Sequence, residues 1–293
     1  MMMRRLIGAA MLVVLTSPAY AASVLSVESV LSPAWVERAN GQREPLSVGM
    51  ALENKEKVHT GDGGRALLRM AEGSAVKLGA SVMLVVDDQL QKPDPKTGGV
   101  VSATLNVVRG AFRFTTGLLA KPTGERDVRV KVNAVTAGIR GTDVWGKSEG
   151  ERDIVCLLEG RITVTHGSAQ FIMQEPNSFY IAPARGVAQP PSPVSAAQVR
   201  EWSEETDIQP GSGAVRRGGT LSVSVAAAGA QAAASALQTR LRDSGFPADL
   251  VRLGEGAAAR YEVRLGALAD PAEAAALAER LRRMGFGEAR ATP

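Results

Sequence analysis

The chain has 293 residues, 45% of them hydrophobic and 22% charged, with a formal net charge of +4. That length accommodates two domains and a linker, and so small a positive surplus does not by itself point to an acidic polymer or membrane as partner. One cysteine, Cys156, rules out an intrachain disulfide framework, and with only His59 and His166 beside it there is no clustered Cys/His metal set.

The first residues read MMMRRLIGAAMLVVLTSPAYA. Arg4 and Arg5 give a positive start, Leu6 to Leu15 an apolar stretch, and Ala19-Tyr20-Ala21 a small-x-small cleavage site, the pattern of a secretory signal over 1–21. Ten apolar residues are too few to cross the hydrocarbon layer, which takes about 20 as a helix. The mature product is expected to begin near Ala22, exported and without a membrane span.

From Ser23 to about Pro183, short apolar runs alternate with glycine-centred turns: RALLRM, SAVKL, VMLVV, TLNVV, AFRFT, VRVKV, DIVCLL and RITVT. Strands of four to six residues at this spacing, without a helical stripe, predict an all-β domain over 22–183. Val128, Val130 and Val132 alternate with Arg129 and Lys131, as on a strand with one wet face. Gly73, Gly110 and Gly160 each follow a charged residue and precede a strand, where a positive φ is expected. Gln91 to Gly99 reads as a Pro- and Gly-rich loop, and Cys156, among apolar neighbours, as a buried structural thiol.

The run from Arg65 to Val86, then LNVVRGAFRF, then VKVNAVTAGIRGTDVWGK, then DIVCLLEGRITVTHG, resembles the FecR-type periplasmic domain. Such domains carry an xGS turn, an RGxxxF step, an [IV]RGT[DE]F step and a closing EGxVxV strand pair. Here the third step is Ile139-Arg140-Gly141-Thr142-Asp143-Val144, with valine in place of the aromatic. The resemblance implies stacked short strands, as a solenoid or a sandwich. The family name comes from iron-citrate signalling by a membrane-spanning anti-sigma regulator; neither its spanning helix nor its sigma-binding helices is recognisable here, so only the domain is expected to carry over.

Residues 184–219 read as a Pro/Gly-rich linker. Ala196 to Glu205 has the makings of a short helix that docks Trp202 on the β domain, and QPGSGAVRRGGT reads as a flexible joint.

The last segment, 220–293, is written twice at an offset of forty residues. Leu221, Val223, Val225, Leu237, Leu241, Gly245 and Phe246 fall against Tyr261, Val263, Leu265, Leu277, Leu281, Gly285 and Phe286. Each copy opens with period two and changes to helical spacing. In the second, Asp270 as N-cap, Pro271, Glu273 closing a capping box and Gly285 mark the helix ends. Leu250, Val251 and Leu253 add a strand. The expected α+β unit is β-α-β-β-α-β, with both helices on one side of the sheet. Val223, Val225, Val263 and Leu265 then face the helices, and Ser222, Ser224, Glu262 and Arg264 face the open side. Hydroxyl, carboxylate and guanidinium groups there suit hydrogen bonding to sugars, and Gly266 would let a ligand approach the backbone.

YEVRLGALADPAEAAALAERLRRMGF resembles the SPOR domain, whose signature is a VQLGxF strand, an alanine-spaced helix and a closing Gly-aromatic. The resemblance implies a ferredoxin-like fold that binds peptidoglycan glycan strands stripped of their stem peptides, typically at division septa. The first copy departs from the signature at Ser224, Ala226 and Ala228.

No catalytic set emerges. The two histidines lie in polar contexts read as exposed turns. Asp87-Asp88 reads as a strand terminator, because neighbours on a strand point to opposite faces and cannot flank one bond. HExxH, GxSxG and phosphate-loop patterns are absent. An RNA-binding sheet would need stacking aromatics, and only Tyr261 is available. The expectation is a non-enzymatic periplasmic protein of a Gram-negative envelope, with no cofactor, metal or nucleic acid. It would attach to glycan strands through residues 220–293 and leave its β domain for another envelope protein. A sensor or regulator in FecR-type signalling is the alternative.

Overall fold

A computed structural model describes residues 24–92, 100–117, 125–256 and 259–292. The signal-peptide reading and most of the 91–99 loop lie outside the described residues.

Short alternating segments need a second surface to cover their apolar side, and here two sheets cover each other. The strands run β1 (Leu25–Leu31), β2 (Ala34–Glu37), β3 (Arg43–Pro45), β4 (Ala51–Leu52), β5 (Lys57–Thr60), β6 (Arg65–Met70), β7 (Ala75–Leu78), β8 (Met83–Lys92) and β9 (Val100–Thr115). They continue as β10 (Glu125–Val132), β11 (Val135–Ile139), β12 (Asp143–Ser148), β13 (Arg152–Glu159), β14 (Ile162–His166), β15 (Ala169–Met173), β16 (Ser178–Pro183) and β17 (Ser192–Pro193). One sheet has the order β17-β16-β13-β12-β9-β7-β6-β1. The other has the order β15-β14-β11-β10-β9-β8-β5-β2-β3. Of the solenoid and the sandwich, the chain forms the sandwich. Leu68, Phe112, Phe114 and Leu157 from the first sheet meet Val58, Leu84, Val107 and Val130 from the second in one buried core.

β9 belongs to both sheets. Val100 to Arg109 pairs with β8 and β10, then Gly110 to Thr115 pairs with β7 and β12. The chain turns the corner at Gly110, φ 85°, where a Cβ would lie 2.7 Å from Val82. Glycine corners also carry the chain between the sheets at Gly141, between β11 and β12, and at Gly160, between β13 and β14. The RGxxxF, RGT and EG steps of the sequence are these three sheet-changing corners.

Helix α1 (Ala196–Thr206) packs on the outer face of the first sheet. Ser195 caps it by accepting from the Gln198 N–H, and Trp202 stacks on Trp145 with centroids 4.6 Å apart and planes 2° from parallel. Cys156 lies buried in this cluster, where burial and the nearby Asp143 charge push its thiol up to about 12. A thiol raised that far is only about one part in ten thousand ionised at pH 8. The folded chain should therefore resist alkylation there for hours, whereas Trp202→Ala, which uncovers the cluster, should react within minutes. Equal labelling rates in the two proteins would refute this account of the helix.

The rest of the chain is β18 (Val215–Arg216), β19 (Leu221–Ala228), α2 (Gln231–Asp243), β20 (Asp249–Leu253), β21 (Arg260–Leu268), α3 (Pro271–Arg283) and β22 (Arg290–Thr292). The antiparallel order is β20-β21-β19-β22, and both helices pack on one side through Ala234, Leu241, Ala274, Leu277 and Leu281. Both helices end alike: Gly245 and Gly285 take positive φ, and the Phe246 and Phe286 N–H groups bond back to Leu241 and Leu281. The copies also clasp each other, Arg240 lying over Phe286 at 4.9 Å and Arg280 over Phe246 at 5.8 Å.

Two local expectations change. The Asp270 side chain caps α3 by accepting from the Glu273 N–H, as expected, but Glu273 does not close a box. Its carboxylate accepts from the backbone N–H groups of Gly211, Gly213 and Ala214 at 3.0, 2.7 and 3.0 Å. The segment expected as a flexible joint is thereby fixed. β18 within it pairs with β1 (Val30↔Val215) and with β21 (Val215↔Leu268), so one sheet runs from the sandwich into the C-terminal unit. On the helix side, Trp35 donates from Nε1 to the Asp243 carbonyl, and Ala34 N–H donates to the Gly245 carbonyl.

Candidate functional site

The side of the C-terminal sheet away from the helices is built by strand register. Asp249, Arg264, Ser224 and Arg290 stand in one row across the four strands. Two residues along β21 from Arg264 comes Glu262, and two further Arg260, both on the same face by the alternation of the strand.

Three of the residues expected to present free polar groups are instead buried in this face. Ser222 is 5% exposed, Ser224 0% and Glu262 4%. The reason is size: small or short side chains on central strands sit beneath longer neighbours. Ser222 Oγ shares a hydrogen bond of 2.8 Å with Thr292 Oγ1 on the edge strand. Glu262 accepts from Arg264, through Nε at 3.0 Å and through Nη2 as well. Burial by itself raises the Glu262 carboxyl, but the Ser224 hydroxyl, then the Arg264 hydrogen bonds and the charges of Arg264 and Arg290, outweigh it and hold the group below its ordinary 4.5. A depressed folded-state pKa contributes stability above the unfolded value that is lost as pH falls through the folded one. The face should therefore keep its charge pattern through pH 5, and Glu262→Gln should flatten the stability profile below pH 4.5 in acid titrations followed by circular dichroism.

Arg264 remains half-exposed and Arg290 exposed. Arg290 makes no side-chain ion pair among the described residues, while Arg264 is steered by Glu262. Gly266 is half-buried, and a Cβ there would meet nothing within 4 Å. Its own chain does not require glycine at that point; the unusual backbone belongs to Ala267, φ 65°, at a bulge between β19 and β21. The space over Gly266 is open. Arg290 and Asp249 escaped sequence reasoning because β22 is three residues long and shows no period, and only the register places Asp249 beside Arg264.

Elsewhere, the readings of polar residues shift. His59 lies on β5, not in a turn, 3.5 Å from Glu37; burial, followed by the Arg43 charge, lowers its pKa. His166 closes β14, with Nδ1 2.8 Å from the Tyr180 hydroxyl. Asp87 and Asp88 do not end a strand: they sit at a bulge inside β8, where Asp87 pairs with Lys131 and Asp88 accepts from Asn54. Among the described residues, no group of three His, Cys, Asp or Glu side chains is placed to hold a metal ion, and no helix is long and apolar enough to cross a membrane.

Comparison with family models gives two matches: "FecR protein" over residues 56–163 and "SPOR domain" over 218–291. The chain carries a FecR region followed by a SPOR domain. The FecR match runs from the end of the β4–β5 turn into β14, so it contains all three glycine corners. β1, β2 and β3, which lie before it, supply the strands that complete each sheet on one side and the contacts to the SPOR domain. No curated protein matches the chain. Two solved structures, each described as a candidate anti-sigma factor from Parabacteroides distasonis, resemble it at 16% and 12% identity, with TM-scores of 0.38 and 0.40. The first likeness covers 50% of this chain and 63% of that one; the second covers 69% and 96%.

Proposed function

We propose that this chain is a non-catalytic protein of the Gram-negative periplasm that holds peptidoglycan through the open face of its SPOR domain and presents the FecR sandwich to another envelope protein. The observation that carries the reading is the pairing of a SPOR match with an arginine-lined face that no helix among the described residues covers. Removing a stem peptide leaves a carboxylate on the glycan, and Arg264 and Arg290, on either side of Ser224, suit that group. Glu262 acts as a positioning residue that orients Arg264, and the room above Gly266 admits a sugar ring. Export is carried by the pattern of residues 1–21.

Sedimentation of the full chain with purified sacculi tests this. Sacculi stripped of stem peptides by an amidase should retain more protein than intact ones. Arg264→Ala combined with Arg290→Ala should lower retention at least tenfold, since a charged hydrogen bond contributes about 1.5–3 kcal/mol, and salt should weaken what remains. Equal pelleting of wild type and double variant on stripped sacculi would end the proposal. Imaging a tagged chain in dividing cells would show whether it gathers at septa.

The FecR match favours one second reading, a regulatory role in which the sandwich meets a signalling partner and the SPOR domain only places it. Deleting the gene should then change a defined set of transcripts; an unchanged profile counts against it.

A further inference from the structure

Where the sandwich meets the SPOR domain, a cleft of about 350 Å³ opens on the outer face of the shared sheet. Register sets its floor: Arg216, Ser29, Leu67 and Lys77 stand side by side on β18, β1, β6 and β7. The segment after α1, from Asp207 to Pro210, forms its wall. Val215 pairs with Val30 and Leu268, all three buried, so the next residue, Arg216, points to the opposite side, the side of the sheet that bears Arg264. The cleft and the SPOR face are therefore parts of one continuous surface.

The charges are distributed unevenly. Lys77 is neutralised by Asp207 at 2.6 Å, and Arg69 by Glu28. Arg216 makes no side-chain hydrogen bond or ion pair among the described residues, although it is only half-exposed. Glu28 feels the Arg216 charge and Asp207 lines the same cleft, but each carboxylate is already bonded to another cation, so the Arg216 guanidinium keeps its donors for an incoming anion. From Arg264 to the Leu268 end of β21 is about 13 Å along the strand, and β18 lies about 5 Å across the ladder. That separation exceeds one sugar ring, so a single small anion cannot serve both arginines, whereas a chain of sugars with repeated carboxylates can.

We propose that the cleft is a second glycan subsite: a peptide-free strand held at Arg264 and Arg290 continues across the seam, Arg216 takes the carboxylate of a later sugar, and the Gln209, Lys77 and Asp207 side chains meet its hydroxyls. The proposal rests on the peptidoglycan reading above. A second contact on the same strand acts at high effective concentration, so the gain appears only when the glycan is long enough to reach.

The test uses the full chain and peptide-free glycan fragments with a fluorescent label at the reducing end, of one and of four disaccharides, read by anisotropy. Arg216→Ala should weaken binding of the long fragment about tenfold, and Arg216→Glu further, while both leave the short fragment unchanged. Thermal melts that superimpose on wild type show that the substitutions leave the fold intact, and Gln209→Ala, outside the strand ladder, gives an independent variant of the same cleft. Arg264→Ala with Arg290→Ala should weaken both fragments. If that double variant loses affinity while Arg216→Ala, Arg216→Glu and Gln209→Ala lose none at either length, the cleft is not a subsite and the SPOR-face reading stands. If the double variant loses nothing, both readings fall.

Discussion

Glu273→Ala should lower the stability of the chain by about 3–5 kcal/mol, because it orphans buried backbone donors at the seam. The carboxylate is 2% exposed and accepts three N–H bonds from the segment between α1 and β18. Gly213 and Ala214 are buried, so no water replaces the lost acceptor, and each unsatisfied N–H there costs about 1–3 kcal/mol. The loss should also separate the two domains energetically. Wild type should unfold in one calorimetric transition, and Glu273→Ala in two, the lower one belonging to the SPOR domain. Glu273→Gln, which keeps one oxygen acceptor, should fall between. A single transition within 1 kcal/mol of wild type would show that the seam is not held by this carboxylate.

The second large effect is expected at a corner of the sandwich. Gly160 sits at φ 90°, and a Cβ added there would lie 2.4 Å from the Gly141 carbonyl oxygen. Both residues sit in short corners whose flanking strands, β11 and β12 for Gly141 and β13 and β14 for Gly160, begin or end within two residues, so neither yields cheaply. Gly160→Ala therefore combines left-handed strain with a clash and should lose at least about 3 kcal/mol in urea unfolding. Gly150 and Gly167 also have positive φ, 84° and 58°, but nothing lies within 4 Å of a Cβ there. Alanine at either should lose only about 1–2 kcal/mol, the strain by itself. Similar losses at all three positions would mean that the close approach of Gly141 and Gly160 contributes nothing.

Much of the architecture is legible in the amino-acid sequence. The forty-residue repeat names the two central strands, β19 and β21, and both helices of the SPOR domain, because strand and helix periods are local properties of side-chain order. The glycine steps of the FecR region mark where the backbone must turn. Their purpose, carrying the chain from one sheet to the other, is visible only once β9 is seen to pair in both. Glu273 illustrates the limit. A local rule assigns it to its own helix end, and the partner it takes lies some sixty residues earlier in the chain.

The binding face divides in the same way. Alternation on β19 and β21 assigns Ser222, Ser224, Glu262 and Arg264 to the side without helices. It says nothing of what stands beside them on the adjacent strands. Ser224 is buried between Arg264 and Arg290, and Glu262 beneath Arg264, because cross-strand neighbours with long side chains cover short ones. The sequence by itself determined the strands, the helices, the repeat and the side of the sheet on which each residue lies, all of which depend on neighbours along the chain. Only the tertiary structure decided which of those residues reach solvent and that β18 joins two domains into one sheet, because exposure and pairing depend on segments brought together from far apart.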